Sequence, residues 1–127
     1  MLLVVLAITN SADAALRTDK QVKRVAEPIM DNILAGFKFD DYLIYSKDFV
    51  DDLKITGAST KFYETARYIH KELGSYLSRK YIGNLRRSGK IIVLWKGTFE
   101  KTKDDILIKL TISRRGSKYK VVGVWLE

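Results

Sequence analysis

The chain reads as an α+β domain: N-terminal helices packed on a curved four-stranded antiparallel meander. Three observations predict this. Apolar residues recur at three- and four-residue steps as far as Gly74, and beyond it they alternate in stretches rich in β-branched and aromatic residues. The connections between those later stretches are short and polar, which makes hairpins rather than parallel crossovers. At 127 residues the chain is long enough for one continuous core, and no linker or repeat divides it.

The first helix is expected to start near Thr18, whose hydroxyl can cap exposed N–H groups, with Asp19 at the positive end of the helix dipole. Val22, Val25, Ile29, Ile33 and Phe37 share one face. Pro28 removes a backbone bond and crowds the preceding turn, so either a kink over 24–27 or a helix starting at Pro28 is expected. Gly36 suits its end. A shorter helix follows over 40–49 with Asp40 as cap. A third opens at Ser59 or Thr60, carries Phe62, Ala66, Ile69 and Leu73 in a stripe, and stops at Gly74.

Four strands are expected over 76–86, 91–99, 106–113 and 119–126. Strict alternation puts Ile91, Val93, Trp95, Gly97 and Phe99 on the helix-facing side, with Ile106, Ile108, Leu110 and Ile112, then Tyr119, Val121, Gly123 and Trp125. Gly97 and Gly123 would leave room there. The reverse side mixes aliphatic residues with lysine. Symmetric hairpins would set Lys96 opposite Lys109 and place Leu107 and Val124 beside Thr98. An apolar patch of this kind marks an interface, so a homodimer through Leu94, Lys96, Leu107, Lys109, Val122 and Val124 is expected.

Residues 1–14 read as a secretory signal. Leu2 to Ile8 is apolar but too short to span a bilayer, and Ala12-Asp13-Ala14 fits the small-x-small pattern before a cleavage site. The positive n-region is missing, which leaves open a start further upstream or a run buried in the fold. On the signal reading, residues 15–127 form a single domain exported to the periplasm or exterior of a prokaryotic cell. No later stretch reads as a transmembrane helix.

Charge divides unevenly. Residues 1–73 hold 10 Lys/Arg against 11 Asp/Glu, a net of −1, and residues 74–127 hold 13 against 4, a net of +9. Arg86, Arg87, Lys90, Arg114, Arg115 and Lys118 cluster at two turns expected at one end of the sheet, a candidate anion-binding site. Lysine kept for solubility and edge protection accounts for the same pattern.

The run Asp41-Tyr42-Leu43-Ile44-Tyr45-Ser46-Lys47-Asp48-Phe49, then a helix ending in Leu73-Gly74, then four strands, resembles small exported domains of unknown function in the nuclear transport factor 2-like (cystatin-like) superfamily. The resemblance covers residues 18–127. It implies a curved sheet wrapping a long helix, often around a conical pocket, and pairing of subunits through the sheet. It implies no reaction, because that scaffold serves isomerases, dehydratases, cyclases and non-enzymatic carriers alike.

Without cysteine there is no disulfide, thiolate chemistry or Cys-based metal site, and one histidine excludes any two-imidazole site within a chain. No Gly-rich phosphate loop, nucleophile elbow or HExxH pattern is present. His70 and Asp48 are the candidate general bases; a boundary histidine with a solvent-facing edge is the commoner role for His70, and capping or surface pairing explains Asp48 as well. Adjacent acids such as Asp104-Asp105 diverge on a strand and make no dyad. Tyr45, Tyr63, Trp95 and Trp125 would line a pocket, with core packing as the competing role. The reading is therefore a non-enzymatic module without cofactor or metal that binds a small ligand, an anionic surface or a protein. The alternatives are a small isomerase or lyase with a conical pocket, or a binder of anionic polymer or nucleic acid through the basic turns. Export would put nucleic acid out of reach.

Overall fold

The computed structural model describes residues 16–127. The expected signal segment lies outside them. Among the described residues, helices α1 (Asp19–Phe39), α2 (Tyr42–Tyr45) and α3 (Ala58–Glu72) precede strands β1 (Tyr76–Arg87), β2 (Lys90–Phe99), β3 (Ile106–Arg115) and β4 (Lys118–Leu126). The strands form one open antiparallel sheet in the order β1-β2-β3-β4, so the expected α+β meander stands.

At the start of α1, Thr18 and Gln21 cap each other reciprocally. Thr18 Oγ1 accepts from the Gln21 N–H at 3.1 Å, and Gln21 Oε1 accepts from the Thr18 N–H at 3.1 Å. The helix runs unbroken through Pro28, which overturns the expected start there. Pro28 is exposed, where one lost main-chain bond is offset by water. Gly36 does not end the helix either. Asp40 does, in a left-handed conformation (φ 53°), with the Asp41 N–H donating to Gly36 O at 2.9 Å. Gly36 instead admits α2: a Cβ there would lie 2.5 Å from Tyr45 Cβ and 2.6 Å from Tyr45 Cα.

The second helix is shorter than expected and begins one residue later. Asp41, not Asp40, caps it, its Oδ1 accepting from the Ile44 N–H at 3.0 Å. After it, Phe49 forms a parallel bridge to Val121, with Val50 N–H donating to Val121 O and Val121 N–H to Asp48 O. Helix α3 opens at Ala58 after Gly57 (φ 88°), with no side-chain cap from Ser59 or Thr60. Its buried stripe is Phe62, Ala66 and Ile69.

The core lies between α1 and the sheet, where Val22, Met30, Ile33, Val93, Trp95, Ile108, Leu110, Ile112 and Val121 are all but sealed from solvent. Register shifts interrupt β1 between Tyr76 and Ser78 and between Tyr81 and Gly83, and two further departures from the expected pairing bear on the site. The β2–β3 register pairs Lys96 with Leu107 and Leu94 with Lys109, two residues from the symmetric arrangement, so each lysine faces a leucine. The loop is asymmetric because Glu100 and Lys101 donate their N–H groups to Ser75 O and Leu73 O. In β4, Val121 pairs with Ile112 but Gly123 pairs with Thr111, leaving Val122 as an extra bulged residue. Beyond the bulge every side chain changes face. Val124, opposite Leu110, turns to the helix side, and Trp125, opposite Lys109, turns to the reverse side with its ring over Gly123. Gly97 keeps its expected face, but the side chain of Ile108 fills the space it leaves.

Candidate functional site

Because α3 buries only one stripe, a groove opens between it, the 52–58 loop and β4. It encloses about 660 Å³. Its floor is an aromatic cluster in which the Phe62 ring stacks on Phe37 at 5.5 Å and lies 4.5 Å from Tyr45 and 5.7 Å from Tyr42. Tyr45 also touches Phe49 at 4.8 Å. Burial, and then the neighbouring Tyr42, push the Tyr45 phenol up to about 12, so it stays neutral. The opposite wall is the Val122–Leu126 stretch of β4, which begins at the bulge. Asp52 and Lys61 are the charged side chains of the lining, and Ile55 and Tyr68 stand two-thirds exposed at its mouth. A cavity of this size, apolar with few polar groups, falls in the range that holds small molecules.

A second cavity of about 590 Å³ lies on the far side of Phe37, Ile69 and Leu126, between the C-terminal half of α1 and β1. Asp31, His70, Tyr76 and Arg79 line it. Here sits an ion network that no sequence pattern announced. Arg79 is nearly buried and donates from Nε and Nη2 to Glu27 Oε1 (3.0 and 2.6 Å) and from Nη2 to Asp31 Oδ1 (2.7 Å). Its Nη1 donates to Tyr76 Oη at 3.1 Å, and Trp95 Nε1 donates to Glu27 Oε2 at 3.1 Å. Burial alone would lower the Arg79 pKa. Hydrogen bonds to Asp31, Glu27 and Tyr76 outweigh it and hold the guanidinium above its ordinary value, so it keeps its charge throughout the accessible pH range. All its strong bonding positions are directed at protein acceptors, and the arrangement acts as a brace between α1 and the sheet.

Of the expected pocket residues, Tyr45 and Trp125 border the groove. Trp95 lies sealed in the core and Tyr63 packs edge-on against Phe62; neither lines either cavity. Alternation places Trp95 on the helix-facing side, and there it packs in the core, with α1 reaching it through Glu27, rather than bordering a cavity. His70 borders the second cavity, partly exposed, with Nε2 3.1 Å from Asp40 Oδ1. Asp48 borders neither and accepts from Asn32 Nδ2 at 3.2 Å. The two candidate bases therefore do not share a cavity. Leu94, Lys96, Leu107 and Lys109 share the reverse face as expected, whereas Val124 and the bulged Val122 line the groove.

Arg86, Arg87, Lys90, Arg114, Arg115 and Lys118 do come to one end of the sheet. Ser88-Gly89 and Gly116-Ser117 form two-residue turns, with Arg87 opposite Lys90 and Arg115 opposite Lys118. Arg114 donates to Gly116 O and lies over the Tyr119 ring at 5.8 Å. Among the described residues, no group of His, Cys, Asp or Glu could hold a metal ion, and no helix is long and apolar enough to cross a membrane. No protein-family model, no curated protein and no solved structure matches this chain.

Proposed function

We propose that this chain is a non-enzymatic carrier or sensor module that holds an elongated apolar small molecule in the groove between α3 and β4. The observation that carries the reading is the groove itself, an aromatic-floored space of about 660 Å³ whose mouth exposes Ile55 and Tyr68. Water gains little there, and burying apolar ligand surface is worth roughly 25 cal/mol per Å². A long helix against a four-stranded antiparallel sheet supports reading the domain as nuclear transport factor 2-like, a scaffold suited to such pockets. The enzymatic alternative has less to draw on, since Arg79 is committed to Glu27 and Asp31.

Titration with the fluorescent fatty acid cis-parinaric acid tests the reading. Saturable binding is expected, weakened about tenfold or more in Tyr68→Glu, which sets a charge at the mouth. His70→Ala, outside the groove, should bind as wild type. Absence of saturable binding, or equal loss in both variants, would refute the reading.

The reverse face supports a homodimer. Leu94 and Leu107 stand half-buried among Lys96 and Lys109, and Trp125, nearly half exposed, adds an aromatic surface. Light scattering should give the mass of two chains for wild type and one for the Leu94→Glu/Leu107→Glu variant. A wild type that stays monomeric when concentrated would rule the dimer out.

A further inference from the structure

The second cavity, between α1 and β1, is apolar in its depth and polar at its rim. Leu34, Phe37, Ile69 and Phe99 line it with side chains nearly sealed from solvent, and the Tyr76 ring stands edge-on to Phe99 at 5.7 Å. Asp31, Lys38, His70 and Ser75 line it from exposed positions. Most of the charge around it is already matched. Asp31 is held by Arg79, whose guanidinium also meets Glu27. His70 Nε2 faces Asp40 Oδ1 at 3.1 Å. Behind Gly74, Glu100 and Lys101 stand together, for a Cβ at that glycine would meet both. Lys38 is the exception. Its Nζ lies over the Phe39 ring at 5.3 Å and makes no ion pair with any described residue. Tyr76 Oη accepts from Arg79 Nη1, which leaves its own hydrogen free to donate.

We infer that this cavity binds a compact aromatic carboxylate. The ring rests on the apolar floor that Phe37 and Phe99 build, where aromatic faces and edges gain from each other beyond the area they bury. The carboxylate stays at the rim, where Lys38 supplies the opposite charge and the Tyr76 hydroxyl a hydrogen, and a bond to a charged partner is about twice as strong as a neutral one. One unmatched cation suits a single negative charge. A phosphate monoester would bring nearly a second, with nothing left on the rim to meet it. The volume, about 590 Å³, falls in the range that holds small molecules. Arg79 takes no direct part, being committed to Glu27 and Asp31, and serves as the wall behind Tyr76. The site is separate from the groove: Phe37, Ile69 and Leu126 stand between the two, and Asp52 and Lys61 lie on the other side. It therefore holds whether or not the groove is occupied.

The test is methyl NMR of the full chain titrated with 1-naphthaleneacetate, with its uncharged amide, 1-naphthaleneacetamide, as the control. Saturable shifts are expected at Leu34 and Ala35, with Leu53 and Ile55 of the groove unmoved. The acid should bind about tenfold more tightly than the amide. Lys38→Met should keep the thermal unfolding midpoint, since that side chain is exposed and makes no ion pair, and should remove the acid's advantage. Lys38→Arg should retain it. Shifts confined to Leu53 and Ile55, no saturable shift at all, equal affinity of wild type for acid and amide, or an advantage that survives Lys38→Met would each overturn the inference.

Discussion

Replacing Arg79 by methionine should cost about 3 kcal/mol of stability, because it strands a partly buried carboxylate rather than merely deleting a contact. Glu27 would keep its Trp95 bond but lose the guanidinium that neutralises it. The thermal midpoint should fall by roughly 10 °C. A second change, Glu27→Gln, should recover part of that loss, since an uncharged amide suffers far less from burial. The double-mutant cycle isolates the pair. Asp31 is mostly exposed, so Asp31→Asn should cost well under about 1 kcal/mol despite its short bond to Arg79. If Arg79→Met and Asp31→Asn proved equally mild, the brace between α1 and the sheet would be a surface feature, contrary to its burial.

Gly36→Ala should invert the usual effect of that substitution. In an open helix, alanine gains about 0.5–1 kcal/mol over glycine. Here the methyl group would meet the Cα, Cβ and N of Tyr45, atoms that move only if α2 moves. Overpacking of this kind costs about 1–3 kcal/mol, so a net loss of about 1–2 kcal/mol is expected in urea unfolding. Gly97→Ala offers the contrast, for its methyl meets the tip of Ile108, which can rotate, and the loss should be smaller. The inverse ranking would mean that α2 is not anchored at Gly36.

Why part of this was legible beforehand is clear from the elements themselves. The α-to-β transition at Gly74 is marked by a left-handed glycine (φ 73°) and a change of apolar period, both local signals. The two-residue turns at Ser88-Gly89 and Gly116-Ser117 are equally local, and with them came the cationic end. The bulge at Val122 was not legible. Val121-Val122-Gly123-Val124 offers no polar residue to mark a face, so an extra residue leaves the pattern unchanged while exchanging Val124 and Trp125. That exchange moved one wall of the groove and one member of the reverse face.

The ion network was hidden for a different reason. Glu27 and Asp31 are four apart on α1 and Arg79 lies 48 residues beyond Asp31, joined only by the packing of α1 on the sheet. The available hint was Glu27 itself, a carboxylate next to Ala26 on a face otherwise apolar, which needs a cation to meet it. Caps shifted by one residue, as with Asp41 in place of Asp40, reflect adjacent acids that compete for the same role.

The most direct test of the account is methyl NMR of the protein titrated with cis-parinaric acid. It predicts shifts at Leu53, Ile55, Val122 and Val124, which surround the groove, with Leu94 and Leu107 on the reverse face unmoved. Shifts confined to Leu94 and Leu107, or none at saturating ligand, would contradict a ligand seated between α3 and β4.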